Sequence, residues 1–114
     1  MAIQKNNSAR NTNGNKPTLN LTGATIQAAY QLSDTVISFT LNIPGASLRG
    51  MRLVEKKDGG YFVTNPQTKG KDDKYHDLFI IYLSDDDEKR VIDTVLKNFA
   101  EKGEKRDFTT RYEV

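Results

Sequence analysis

Residues 35–43, "TVISFTLNI", constrain the chain most. Ile37, Phe39, Leu41 and Ile43 point to one side of an extended segment, and Ser38, Thr40 and Asn42 to the other. Period two with β-branched residues defines a half-buried strand. "LNLTGATIQAAY", residues 19–30, reads as a weaker strand before it, with Gly23 marking a bulge or bend. "LSDT" joins the two as a turn, and "PGAS" breaks the chain after Ile43.

"LRGMRLVEK", residues 48–56, predicts a third strand. Unbroken alternation puts Arg49 with Met51 and Leu53 on one face, and Arg52 with Val54 on the other. "KDGG" is the strongest turn signal, because Asp-Gly tolerates the two positive φ angles of a type I′ hairpin. "YFVTN" follows as a fourth strand that stops at Pro66, and "QTKGKDDK" reads as a polar loop. "YHDLFIIYL", residues 75–83, reads as a long fifth strand. It is apolar on both faces from Leu78 to Leu83, as a central strand would be.

The next element is a helix. Ser84 is a good N-cap, and Asp85, Asp86, Asp87 and Glu88 fill a first turn where the helix dipole favours anions. Val91, Ile92, Val95, Leu96 and Phe99 make one apolar stripe, which either caps the sheet or builds a dimer interface. Gly103 fits the C-terminal stop, and "DFTTRYEV" adds a last edge strand. The expected fold is mainly β: five or six antiparallel strands, as an OB-like barrel or a curved sheet, with one C-terminal α-helix.

A length of 114 residues and 36% hydrophobic content allow one modest core. Residues 1–17 are Asn-rich and polar and are expected to be a disordered tail, carrying Lys5, Arg10 and Lys16 without an acid. Residues 18–114 are the expected domain. The chain has no cysteine, so disulfides and thiolate metal sites are out. No apolar run approaches the ~20 residues of a membrane span, and the N-terminus lacks an apolar signal core. A soluble, cytoplasmic protein is expected.

Enzyme motifs are sparse. His76 is the single histidine, in "KYHD", with no marked nucleophile to orient. Asp72, Asp73 and Asp77 could gather a divalent ion, but His76 reads more simply as a strand residue near a loop. The acids at 85–88 are accounted for by the helix start. No Walker loop or dinucleotide fingerprint occurs. A non-catalytic protein without cofactor or metal is expected.

The uneven feature is charge. Residues 49–74 hold seven basic and four acidic side chains; residues 75–101 hold three basic and seven acidic. Lys56 and Lys57 fall at the hairpin tip, and Lys69, Lys71 and Lys74 on the loop beyond, while Arg49 and Arg52 lie on strand three. Tyr61, Phe62 and Tyr75 fall between them, with Tyr82 further on. Cations neutralise phosphates and release counterions, and aromatic faces stack on unpaired bases. Together these are candidate contacts for single-stranded nucleic acid. Tyr61 and Phe62 are neighbours, so one of them is expected to turn inward.

"LRGMRLVEKKDGGYFVTNPQTKGKDDKYHD" resembles the middle of the SpoVG septation-regulator family: a strand, a Gly-rich turn, "YFV", a Pro, a Lys-rich loop and a "Y-x-D" strand. The whole chain, from "KPTLNLTGATIQ" onward, is more similar to the single-stranded DNA-binding proteins of lactococcal siphophages. That resemblance implies a variant OB-fold and sequence-tolerant coating of single-stranded DNA in phage replication and recombination. It also implies host-cell cytoplasm, a homo-oligomer (dimer or higher), and work beside an annealing or recombinase protein. The SpoVG resemblance implies instead a regulator that prefers particular sequences. An ordinary OB barrel carries its helix between strands three and four, where this chain has only "KDGG". A closed barrel and an open sheet therefore both fit.

Overall fold

The computed structural model describes residues 17–102 and 107–114. The expected tail (save Pro17) and the Gly103 stop lie outside the described residues. The elements are β1 (Thr25–Ser33), β2 (Val36–Ile43), β3 (Ala46–Glu55), β4 (Tyr61–Thr64), β5 (Gln67–Lys69), β6 (Tyr75–Asp77), α1 (Asp85–Lys102) and β7 (Tyr112–Glu113). The main sheet has five strands in the order β4-β3-β2-β1-β7, and β5 and β6 form a separate ribbon. All pairings are antiparallel. The sheet is open, with β4 and β7 at its edges, and the fold is mainly β with one helix towards the C-terminus.

β2 behaves as its alternation requires. Ile37, Phe39 and Leu41 join Ile26, Ala29, Met51 and Leu53 in the core, against Val91 and Val95 of α1. The helical stripe thus caps the sheet. Asp87 N–H donates to Ser84 Oγ at 3.2 Å, which fixes the helix start at Asp85.

Two bulges flank the middle of β2. Between Gln27↔Thr40 and Tyr30↔Ser38, Ala28 and Ala29 together oppose Phe39. Between Phe39↔Met51 and Leu41↔Leu48, Arg49 and Gly50 together oppose Thr40. Ala28 and Gly50 supply the positive φ angles, 58° and 83°. Bulges sharpen twist and bend a strand, so two at one level bend the sheet there.

Four sequence expectations change. β1 begins at Thr25, not Leu19, because Gly23 (φ 76°) turns the chain just before it. The β3–β4 connection is not a type I′ turn. Gly59 alone has positive φ (92°), and Gly59 N–H donates to Lys56 carbonyl at 3.0 Å while Lys56 N–H donates to Gly60 carbonyl at 2.7 Å. That is a type I turn closed by a glycine bulge. The segment "QTKGKDDK" is not a plain loop, since it contains β5 and the tip of a second hairpin.

The fourth concerns Leu78–Leu83, which forms no strand. Ile81 and Leu83 turn toward the core, whereas Leu78, Phe79, Ile80 and Tyr82 stay exposed. A strand docked beside β4 would need the outward N–H of Val63. Glu88 of α1 already takes that donor, with Oε2 at 3.0 Å. The run is held instead by single bonds: Leu78 N–H to Pro66 carbonyl (2.8 Å), Ile81 N–H to Asn65 Oδ1 (3.1 Å), and Leu19 N–H to Tyr82 carbonyl (2.7 Å).

Candidate nucleic-acid interface

Residues paired directly across an antiparallel ladder share a face. Opposite α1, that rule gathers Ser38 with Arg52 and Tyr30, Thr40 with Gln27, Asn42 with Ser47 and Thr25, Val54 with Phe62, and Arg52 with Thr64. The bulge at Arg49–Gly50 adds Arg49. With one extra residue between Leu48 and Met51, both of these can face the core while Arg49 turns away from it. Arg49 and Arg52 therefore lie on the same face, not on opposite faces as unbroken alternation predicts.

Phe62 lies on this face and is 36% exposed, with Lys56 Nζ 5.9 Å from its ring centroid. Its neighbour Tyr61 packs against the core. Of the adjacent aromatic pair, Phe62 is thus the outward one. Arg49 forms a second cation–aromatic pair, its guanidinium carbon 5.4 Å from the Phe108 centroid.

Phe108 is fixed by polar groups on the same face, of which Gln27 and Asn42 are buried and Ser47 is exposed. Ser47 Oγ donates to Asn42 Oδ1 at 2.6 Å, Asn42 Nδ2 donates to Gln27 Oε1, and Gln27 Nε2 donates to Phe108 carbonyl at 2.6 Å. Buried amides need such partners, and each net bond contributes about 0.5–1.5 kcal/mol. Asp107 closes the turn, accepting from Thr109 Oγ1 and from Thr109 and Thr110 N–H. The Thr109 hydroxyl first, then the backbone donors, hold its carboxyl well below the usual carboxylate range.

The β5–β6 ribbon is exposed along its whole length. Lys69 pairs directly with Tyr75, which is 61% exposed, so a cation and a ring sit side by side on one face. Lys69 Nζ also lies 3.8 Å from Asp73 Oδ1. On the other face His76 Nε2 approaches both oxygens of Asp72, at 3.1 and 3.2 Å. The imidazole, followed by Lys74 N–H, lowers the Asp72 carboxyl. A Cβ on Gly70 would sit 2.8 Å from Asp72 Oδ1 and 2.9 Å from the His76 ring, so this clasp needs glycine.

The two hairpin tips have one architecture. In "KKDGG" (56–60) and "GKDDK" (70–74), the first N–H donates to the fifth carbonyl, at 2.7 and 2.8 Å. The fourth N–H donates to the first carbonyl, at 3.0 and 3.1 Å. Asp58 and Asp72 each accept from the fifth N–H, at 2.9 and 3.0 Å. Gly59 and Asp73 hold the positive φ. Lys57 and Lys71 consequently occupy the same position of the same turn. The shared "K-D" was legible in the sequence, although the polar run around Lys71 hid the second hairpin.

Tyr82 lies apart from Arg49, Arg52 and Phe62. It lines a cleft with Met51, Val63, Ile81, Leu83 and Glu88, on the core side of β4. Lys69, Lys71, Lys74 and Tyr75 belong to the ribbon, and Lys56 and Lys57 to the β3–β4 tip. Sequence reasoning missed Tyr30 and Phe108, since neither sits among the lysines of the central block. Among the described residues no group of three acidic or histidine side chains is placed to hold a metal ion, and no helix is long and apolar enough to cross a membrane. Comparison with protein-family models, curated proteins and solved structures finds no match.

Proposed function

We propose that this chain is a non-catalytic protein that binds single-stranded DNA largely without regard to sequence, in phage replication and recombination. The helix-free face of the sheet and the β5–β6 ribbon are the binding surfaces. The observation that carries this reading is the bulge at Gly50, which brings Arg49 onto the face that already holds Arg52, Phe62 and Lys56. Cations beside outward rings suit a strand whose phosphates and bases are both open: the charges release counterions and the rings stack on any base. The polar floor of Ser38, Thr40 and Gln27 excludes a purely apolar ligand. Arg49, Arg52, Lys56, Lys57, Lys69, Lys71 and Lys74 contact phosphates; Phe62 and Tyr75 are the outward stackers.

A homo-oligomer belongs to the same proposal, with the exposed run Leu78–Ile80 as its contact surface. An annealing or recombinase partner follows from the resemblance. The second reading is a SpoVG-like regulator that prefers particular sequences. It draws on the β5–β6 ribbon, because a two-stranded ribbon can enter the major groove of a duplex.

A tyrosine-fluorescence titration with oligo(dT) at rising salt tests the lead reading. Log affinity should fall against log salt by about 0.7 per phosphate contacted. A flat plot, or no binding, overturns it. Competition with duplex and with scrambled single strands separates the two readings: preference for one duplex sequence favours the regulator.

A further inference from the structure

Where the two bulges bend the sheet, a cavity of about 220 Å³ opens on the helix-free face. Its lining includes Tyr30, Ser38, Thr40, Arg49 and Phe108. Resting on the strand-binding reading above, we infer that this cavity takes one unpaired nucleobase of the bound strand.

Size comes first. Sites for drug-sized ligands run to about 300–1,000 Å³. This cavity is smaller, so it suits one flat ring system rather than a dinucleotide or a large cofactor. Chemistry comes next. Ser38 and Thr40 are buried at the level of the bend, and hydroxyls both donate and accept. The edge of any base finds a partner there, so the site does not select sequence. Arg49 supplies the plane: bases stack on guanidinium groups as they do on aromatic rings. The Phe108 ring backs that guanidinium at 5.4 Å, and the Ser47–Asn42–Gln27 relay holds the Phe108 carbonyl. The C-terminal segment is thereby a wall of the site. Arg52 on the same strand face supplies charge for the adjoining phosphate.

The test compares the full chain with oligo(dT) and with an abasic strand of equal length, which keeps the phosphates and lacks the bases. The unaltered protein should prefer oligo(dT). Arg49→Lys keeps the charge but removes the plane; Phe108→Ala removes the backing ring. Each should cut the preference by on the order of tenfold, and Phe108→Ala, which keeps every cation in place, should leave affinity for the abasic strand and the salt slope unchanged. If the unaltered protein binds both strands equally, or both variants keep its preference, the base pocket is overturned while strand binding stands. If it binds neither strand, the reading beneath the pocket fails too. Should Phe108→Ala not fold, photocross-linking of the unaltered chain to a 5-iodouracil strand takes its place. Attachment at Tyr30 or Phe108 supports the pocket, and attachment confined to Phe62 and Tyr75 overturns it.

Discussion

Asn98 of α1 accepts a hydrogen bond, at 3.0 Å, from the backbone N–H of Ala29 on β1. Ala29 belongs to the bulge whose first residue, Ala28, has a φ of 58°. A bulge breaks the ladder and leaves a donor unpaired. Asn98 is fully buried on the same helix as Val91 and Val95, and meets that donor. The Oδ1 of a polar side chain facing the core thus pairs the donor freed by the bulge, while its own Nδ2 is buried there without a hydrogen-bond partner among the described residues.

Replacing Asn98 with Leu keeps the volume and removes the acceptor. The orphaned Ala29 N–H costs about 1–3 kcal/mol, while the unpartnered Asn98 Nδ2 leaves with the side chain, so the net loss should fall at the low end, about 1 kcal/mol. Urea unfolding followed by circular dichroism measures it. An unchanged midpoint would mean that the bulge does not depend on the helix.

Gly50→Ala puts a Cβ on a residue at φ 83°. The left-handed conformation costs a non-glycine residue roughly 1–2 kcal/mol. The nearest obstacle to that Cβ is Pro66 at 3.7 Å, an ordinary contact, so the loss should be backbone strain alone. Unfolding gives the stability. Deleting Gly50 removes the bulge itself and should turn Arg49 away from Arg52, lowering oligo(dT) affinity far more than Gly50→Ala does.

Lys57 and Lys71 occupy equivalent positions at the two hairpin tips. If both touch phosphates, substituting the pair with alanine should reduce the salt slope by about 1.4, at roughly 0.7 per contact. Titrations at several salt concentrations give the slope. An unchanged slope would remove the tips from the strand's path.

Glu88 covers the outward Val63 N–H of edge strand β4. Open edges template pairing with other chains. Glu88→Leu should expose that donor, speed Val63 hydrogen exchange and promote aggregation. Glu88→Gln keeps an acceptor oxygen and should behave like the parent in light scattering.

The carboxyls of Asp72 and Asp107 are both lowered in the fold. A group with a depressed folded pKa stabilises above its unfolded value, near pH ~3.9, and loses that contribution as pH falls through the folded value. The Tyr75 ribbon and the Phe108 wall should therefore hold steady from neutral pH to about pH 5 and loosen only in acid well below it. Ring NMR signals of Tyr75 and Phe108 across a pH series report this. A transition of Tyr75 above about pH 5 would mean that the ribbon does not depend on the Asp72 carboxylate.

Local pattern carried much of the fold. The period of β2, the Asp-Gly turn, the Ser84 cap with its acids, and the apolar stripe of α1 each depend on neighbours in sequence. The Leu78–Leu83 run misled because apolarity on both faces does not say whether a ladder slot is open; Glu88, close behind it in the chain, had taken the donor. The candidate site was half legible. Residue types and their clustering could be read, but the sharing of a face by Arg49 and Arg52 could not: Gly50 inside a strand is a residue that can mark a bulge, yet only the register against β2 shows that the extra residue falls there.

By itself the sequence determined that β2, β3 and β4 extend, that the chain turns at Lys56–Gly60, which face of the helix is apolar, and that cations and rings are interleaved from Arg49 to Tyr75. Tertiary structure alone decided that Phe108, far along the chain, stands over Arg49, that Tyr61 turns inward while Phe62 turns out, and that Asn98 closes the bend. The physical reason is the range of the interactions. Periodicity and capping act within a few residues, whereas bulge register and burial are set by partners that only folding brings into contact.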